Sequence, residues 1–218
     1  MRQDRLDLFT PERRLGHGGP SVWPVGDSLA REDVLPRLRG RLGREYRYVE
    51  STASTQLLIP PDASEGALVV AGEQTEGRGR LGRSWLAPAG TSLLCSLQLR
   101  PEVPGERLPE LTGVAARACA AAIAAASGLE PKLKFPNDVL LGERKVAGVL
   151  AEAREARVVL GIGVNVNVTE AQLPQEIDRP ATSLLVETGR EIDRAELLAE
   201  LLEHLERGYD EWVSGARG

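Results

Sequence analysis

This 218-residue chain contains three lysines and three asparagines, and all six lie between positions 132 and 167: Lys132, Lys134, Asn137, Lys145, Asn165 and Asn167. Elsewhere basic charge is carried by arginine, so lysine does not serve general solubility here. An ammonium group is a compact, strongly hydrated point charge, whereas a guanidinium is a planar fork. Five of the six, all but Lys132, fall in three segments: Lys134-Phe135-Pro136-Asn137-Asp138, Lys145-Val146-Ala147-Gly148 and Gly161-Ile162-Gly163-Val164-Asn165-Val166-Asn167. A fourth segment, Gly77-Arg78-Gly79-Arg80-Leu81-Gly82-Arg83-Ser84-Trp85, alternates glycine with arginine. Its glycines free the backbone and expose its amides, and its arginines suit carboxylate and phosphate. Such a loop is mobile when empty and orders around a small anion; the competing readings are a plain surface loop or an RNA-binding tract.

The lysine segments extend this chemistry. Pro136 biases Phe135 towards extended backbone, with Lys134 at one end and Asn137 and Asp138 at the other. Across a hairpin turn, strict alternation puts Lys145 and Ala147 on one strand face, and Gly148 marks a close approach of backbone or ligand. Two cations from adjacent strands would converge on phosphate and carboxylate; the plainer reading is two solvated lysines at strand ends. The Gly161 to Asn167 segment is not a dinucleotide fingerprint, since the third glycine is missing and no helix pattern follows. No phosphate-binding P-loop motif occurs either. Asparagines in a valine-rich strand need partners for their amides, from a polar ligand or a turn.

These segments need a scaffold. Residues 1–30, rich in Gly, Pro and charge, read as a poorly ordered tail, and residues 31–213 as one domain. Residues 31 to 42 suit a short helix interrupted at Pro36. Tyr46 to Val49 reads as a strand entering a polar turn over Glu50 to Gln56, and Ala67 to Ala71 as a buried strand. In Thr91 to Arg100, Leu93, Cys95, Leu97 and Leu99 share one face. Leu108 to Ser127 is an alanine-rich helix stopped by Gly128. Leu133 to Leu141, Val146 to Glu152 and Arg157 to Val168 read as three strands, with turns at Gly142-Glu143 and Arg154-Glu155. Asp193 with Glu196 makes a capping-box-like start to a helix carrying Leu198, Leu201, Leu202, Leu205, Tyr209 and Trp212 at helical spacing. The order of elements predicts an α+β fold, a mixed β-sheet flanked by helices.

Composition sets further bounds. With 42% hydrophobic but only 4% aromatic residues, the core must be aliphatic. A formal net charge of -5 argues against a general nucleic-acid binder. Cys95 and Cys119 sit among apolar or small residues and read as buried thiols; with His17 and His204 they make no zinc set. No apolar run is long enough to span a bilayer and no secretion signal is visible, so the expected location is cytoplasmic, away from membranes.

Together these segments resemble the catalytic domain of biotin protein ligases. The matching motifs, in the family's order, are Ser54-Thr55-Gln56, where the family usually has Ser-Thr-Asn; Gln74 with Gly77 to Arg83 and Trp85; Lys134 to Asp138, usually with Trp in place of Phe135; and Lys145 to Leu150 with Gly161 to Asn165. The resemblance covers roughly residues 31 to 213 and implies a sheet-and-helix fold like that of class II tRNA synthetases. It implies that biotin is activated by ATP with Mg2+ to biotinyl-5′-AMP and passed to a lysine of a biotin carboxyl carrier protein domain, as in acetyl-CoA carboxylase. It places biotin against Ser54, Thr55, Gln56, Gln74, Gly77 and Gly148; Arg78, Arg80 and Lys145 at biotin and at the reacting groups; and ATP against Arg80, Arg83, Trp85, Lys134, Asn137 and Asn165. Asp138 would help place Mg2+ or order the loop. The irregular N-terminal stretch does not fit the family's helix-turn-helix repressor domain, so no DNA binding is expected. The SH3-like C-terminal domain common in relatives is also expected to be absent, and dimerisation through a sheet edge is carried by resemblance alone. A lipoate or octanoyl ligase or transferase of the same superfamily, and a non-catalytic biotin-binding paralogue, are the rival readings.

Overall fold

The computed structural model describes residues 28–155, 157–174 and 180–215, so the expected tail lies almost wholly outside the described residues. Among these residues seven strands form one sheet: β1 (Tyr46–Thr52), β2 (Leu68–Gln74), β3 (Ser92–Leu99), β4 (Lys132–Lys134), β5 (Asp138–Leu141), β6 (Arg144–Arg154) and β7 (Arg157–Asn165). Their spatial order is β1-β2-β3-β7-β6-β5-β4. β1 and β2 are parallel and every other pairing is antiparallel, which makes the sheet mixed as expected. Among the described residues four α-helices accompany it: α1 (Arg31–Val34), α2 (Glu110–Ser127), α3 (Leu184–Thr188) and α4 (Arg194–Ser214).

The long helices form where local chemistry starts and stops them. The Asp193 side chain accepts hydrogen bonds from the amides of Ala195 and Glu196 at the start of α4, satisfying donors that a helix leaves orphaned. Gly128 ends α2 at φ 75, the left-handed region that glycine enters without steric cost. Their apolar faces meet: Leu111, Ile123, Leu198 and Leu205 are fully buried in one cluster with Leu93, Leu97 and Leu160 from the sheet. Each such side chain contributes roughly 1.5–3 kcal/mol through removal from water.

The opposite sheet face carries the site. Strand alternation sends Val158, Leu160, Ile162 and Val164 of β7 into the helix-side core, leaving Gly161, Gly163 and Asn165 on the other face. Likewise Leu93, Cys95, Leu97 and Leu99 of β3 enter the core, yet the alternate residues Ser92, Leu94, Ser96 and Gln98 are buried too. The second face is covered by the segment over 53–67, which buries Ile59, Ala63 and Ala67 on Val69 and Val159.

Three expectations change. β1 runs on to Thr52, and the rest of the expected polar turn coils into a 3-10 helix over Thr55–Leu58. The single strand expected over 133–141 is two, β4 and β5, paired about the Phe135–Pro136 turn, whose peptide bond is cis. Finally, Lys145 and Ala147 do not share a face. Val139 pairs with Ala147 but Leu140 pairs with Lys145, so Val146 is an extra residue in β6. Such a bulge breaks the two-residue period. Val146 and Ala147 both enter the core, and Lys145 turns to the side of Gly148.

Candidate functional site

A cavity of about 160 Å3 opens on the sheet face away from α2 and α4. Its floor is the glycine-rich centre of β6 and β7, where Gly148 pairs with Gly163 and Leu150 with Gly161. A Cβ at Gly161 would lie 3.0 Å from Gln56 Nε2, and one at Gly163 would lie 2.7 Å from the Trp85 ring. The glycines are therefore room made for two side chains, Gln56 and Trp85. The close approach expected at Gly148 is met by the same indole and by the Lys145 ammonium.

One wall is polar and rigid. Ser54, Thr55 and Gln56 are 2%, 2% and 3% exposed, so their polar atoms need internal partners. Gln74 Oε1 accepts from both the amide and the hydroxyl of Thr55, at 2.8 and 2.9 Å, and the Thr55 hydroxyl shares a 2.7 Å bond with Ser96. Gln56 Nε2 donates to the Leu150 carbonyl at 3.2 Å, while its Oε1 is buried with no partner among the described residues. A buried acceptor left this way costs about 1–3 kcal/mol, which a ligand N–H or O–H would recover.

The other wall is the arginine loop. The Trp85 amide donates to the Gly77 carbonyl at 2.8 Å and the Gly79 amide to the Arg83 carbonyl at 2.7 Å. A side chain at Gly77 would strike the Trp85 carbonyl at 2.3 Å, so only glycine closes this neck. Arg78, Arg80 and Arg83 line the cavity. Arg80 donates to Asn137 Oδ1 at 3.3 Å and Arg78 lies 3.3 Å from Glu152. Leu81 stands 89% exposed at the tip with φ 58.

Lys145 joins the walls. Its ammonium is 2.7 Å from Asp138 Oδ1 and 5.5 Å from the centre of the Trp85 ring. Its backbone is clamped from outside the hairpin: its amide donates to the Pro180 carbonyl at 2.8 Å and its carbonyl accepts from the Thr182 amide at 2.9 Å. Lys145, Asp138, Asn137, Gly148 and Trp85 thus meet the three arginines and the Ser54-Thr55-Gln56-Gln74 wall around one space. Gly77 forms the loop's neck, and borders a second cavity of about 520 Å3 on the same loop, which Glu152 also lines.

Two candidates lie elsewhere. Lys134 is exposed on β4, outside the cavity lining. Asn165 is buried and donates to the Thr182 carbonyl at 3.0 Å, holding the segment that clamps Lys145. Asn167 similarly binds the Ile192 backbone on both sides of its amide. Both asparagines find a turn to satisfy them, one of the two partners expected. Ser96, Ile162 and the pair Glu152 and Arg154 escaped sequence reasoning. The first two sit in ordinary strand positions, but Glu152 was legible as the second residue after Leu150 on the face that Gly148 starts.

Among the described residues no three His, Cys, Asp or Glu side chains gather to hold a metal ion, and no helix is long and apolar enough to cross a membrane. Asp138 is a single carboxylate at the cavity edge. One carboxylate suits a Mg2+ ion that arrives on a polyphosphate and keeps its waters, and does not suit a metal held by protein alone.

Comparison with known proteins gives the family and agrees with the fold. Residues 47–168 match the biotin/lipoate A/B protein ligase family. The chain is 39% identical over 182 residues to the bifunctional ligase/repressor BirA of Bacillus spizizenii, covering 79% of this chain and 56% of that protein. It is 37% identical over 198 residues to the biotin–[acetyl-CoA-carboxylase] ligase of Mycobacterium tuberculosis, covering 87% of this chain and 72% of that one. The chain therefore spans little more than half the length of the Bacillus relative. Among solved structures, the biotin protein ligase of Aquifex aeolicus in complex with biotin and ATP superposes with a TM-score of 0.70 at 35% identity, covering 77% of this chain and 71% of that one.

Proposed function

The chain belongs to the biotin/lipoate A/B protein ligase family, and from that premise we propose that it is a biotin protein ligase. It joins biotin to ATP as biotinyl-5′-AMP and transfers the biotinyl group to a lysine of a biotin carboxyl carrier protein domain. The observation that supports this most is the pairing of a buried polar wall with a cationic wall across one small cavity.

The polar wall suits a ring that carries both N–H and C=O groups. Ser54, Thr55, Gln56 and Gln74 offer fixed donors and acceptors, and the unpartnered Gln56 oxygen asks for a donor. The ureido ring of biotin answers it. The dithiolane of lipoate and an octanoyl chain would leave those groups desolvated and unpaired, at about 1–3 kcal/mol each, which disfavours the lipoate reading.

The cationic wall suits the chemistry that follows. Biotin carboxylate and ATP are both anions, and their repulsion must be offset before an oxygen can attack the α-phosphorus. In that step a carboxylate O–P bond forms and the bond to pyrophosphate breaks. Lys145, Arg78 and Arg80 supply the compensating charge, with Lys145 held in place by the clamp on its backbone. Arg83, Asn137 and Trp85 border the nucleotide. Mg2+ carried on the triphosphate would screen its charge, with Asp138 as the protein carboxylate within reach. In the second step the carrier lysine attacks the anhydride carbonyl, an amide forms and AMP leaves. The arginine loop meanwhile shields the anhydride from water. The catalytic unit is residues 31–213, working in the cytoplasm.

The test is incubation of the purified chain with labelled biotin, MgATP and a biotin carrier domain, following pyrophosphate and label on the carrier. Both signals are expected. Biotin binding with neither signal would replace the ligase by a non-catalytic biotin-binding protein.

A further inference from the structure

One face of β6 runs out of the cavity as a row of alternate residues: Gly148, Leu150, Glu152 and Arg154. The first two belong to the cavity floor. The last two form a pair, with Arg154 Nη2 donating to Glu152 Oε2 at 2.7 Å. Each member then reaches a different wall. Arg154 Nη1 donates to the Gln56 carbonyl at 3.4 Å, on the polar wall. Glu152 Oε1 lies 3.3 Å from Arg78 Nη1, on the arginine loop. Of the residues in these contacts, Arg78 is the one placed at the reacting groups, and Glu152 reaches them only through it.

We propose that Glu152 is a positioning residue, whose carboxylate, fixed by Arg154, docks Arg78 and so holds the arginine loop against the sheet while the cavity is empty. Two observations make it a dock and not a permanent tie. The contact to Arg78 is longer than the contact to Arg154, so Arg78 is the partner given up when a stronger anion arrives. Arg78 is also the more open side, 46% exposed against 24% for Glu152 and 29% for Arg154. A carboxylate on a rigid strand thus stands in for the ligand anion. The loop starts near its working position, and less ordering remains for the ligand to drive.

An ion pair this exposed contributes at most about 1 kcal/mol, which is about a fivefold change in an equilibrium. The experiment is limited tryptic digestion of the whole chain without ligand, following cleavage after Arg78, Arg80 and Arg83 in wild type, Glu152→Ala and Glu152→Gln. About a three- to fivefold faster nick is expected in Glu152→Ala, with Glu152→Gln between it and wild type because a neutral amide keeps one weaker hydrogen bond. Saturating biotin with MgATP should return all three to the same slow rate, and KM for biotin should rise with kcat unchanged. Loop cleavage in the empty variants at the wild-type rate would overturn the assignment, as would a fall in kcat at constant KM. Glu152→Gln preserves the size of the side chain, so it still decides the matter if Glu152→Ala does not fold. The kinetic half rests on the ligase reading, whereas the digestion does not. Faster nicking in a protein that forms no adenylate would therefore retain Glu152 and sink the ligase.

Discussion

A methyl group at Gly163 would come within 2.7 Å of the Trp85 ring, and one at Gly148 within 3.0 Å. The indole is half-buried on a loop and the sheet beneath it is fixed on both sides, so the ring must give way. Gly163→Ala is therefore expected to lift Trp85 out of the cavity with little loss of stability. A red-shifted tryptophan emission and weaker nucleotide affinity at a nearly unchanged melting temperature are the readouts; unchanged emission would mean that the ring does not rest where the structure puts it. Lys145 and Arg80 test charge in place of shape. A hydrogen bond to a charged group contributes about 1.5–3 kcal/mol, so Lys145→Ala and Arg80→Ala should each release biotinyl-5′-AMP about ten- to a hundredfold faster from a folded protein. Retention unchanged in both would remove the cationic wall from the mechanism. Residue identity alone pointed to Arg80, Lys145 and Gly148, as an arginine in a glycine-rich loop, a rare lysine and a glycine inside a strand. It could not show that Asn165 serves Thr182, since an amide satisfied by backbone and one awaiting a ligand look alike in sequence.

At the scale of elements, what decides Lys145 is a single extra residue. Periodicity reads one face for Lys145 and Ala147, and the Val146 bulge sends them to opposite sides. A bulge carries no signature when neither residue is glycine, which is why the strand was legible and its facing was not. The long helices were legible because their caps are local. Asp193 caps α4 through the amides of Ala195 and Glu196, and it also takes a 2.6 Å ion pair from Arg37. Losing a cap of this kind costs about 0.5–2 kcal/mol. Asp193→Ala should lower stability by about that amount in chemical denaturation and leave KM for biotin unchanged, since α4 packs on the face away from the cavity. A raised KM with intact stability would show that α4 shapes the site after all.

For the molecule as a whole, the two sheet faces divide the labour: one packs the apolar faces of the helices and the other holds charged and polar side chains. The thiols report on the first face. Cys95 of β3 and Cys119 of α2 are both buried in the helix-side core, and desolvation pushes each from 9.0 up to about 12. Burial also pushes Tyr48 from 10.0 up to about 12, helped by the Glu50 carboxylate beside it. In each case the folded chain keeps a proton that the unfolded chain has already released. The contribution of each thiol is then fully present below pH 9 and is lost as pH rises through the window from about 9 to about 12. Each thiol accounts for about 1.4 kcal/mol per pH unit inside that window. Denaturant melts taken from pH 8 to pH 11 should therefore show the midpoint falling only beyond pH 9. Alanine at both thiol positions should flatten that fall, although the cavities left behind lower stability at every pH. At pH 8, where only the thiolate reacts, iodoacetamide should label neither cysteine in the folded protein and both in denaturant. Labelling of Cys119 in the folded state would mean that the helix-side core opens on the timescale of alkylation, and the division between a sealed face and a working face would fail; Cys95 also borders the cavity, so Cys119 decides the matter.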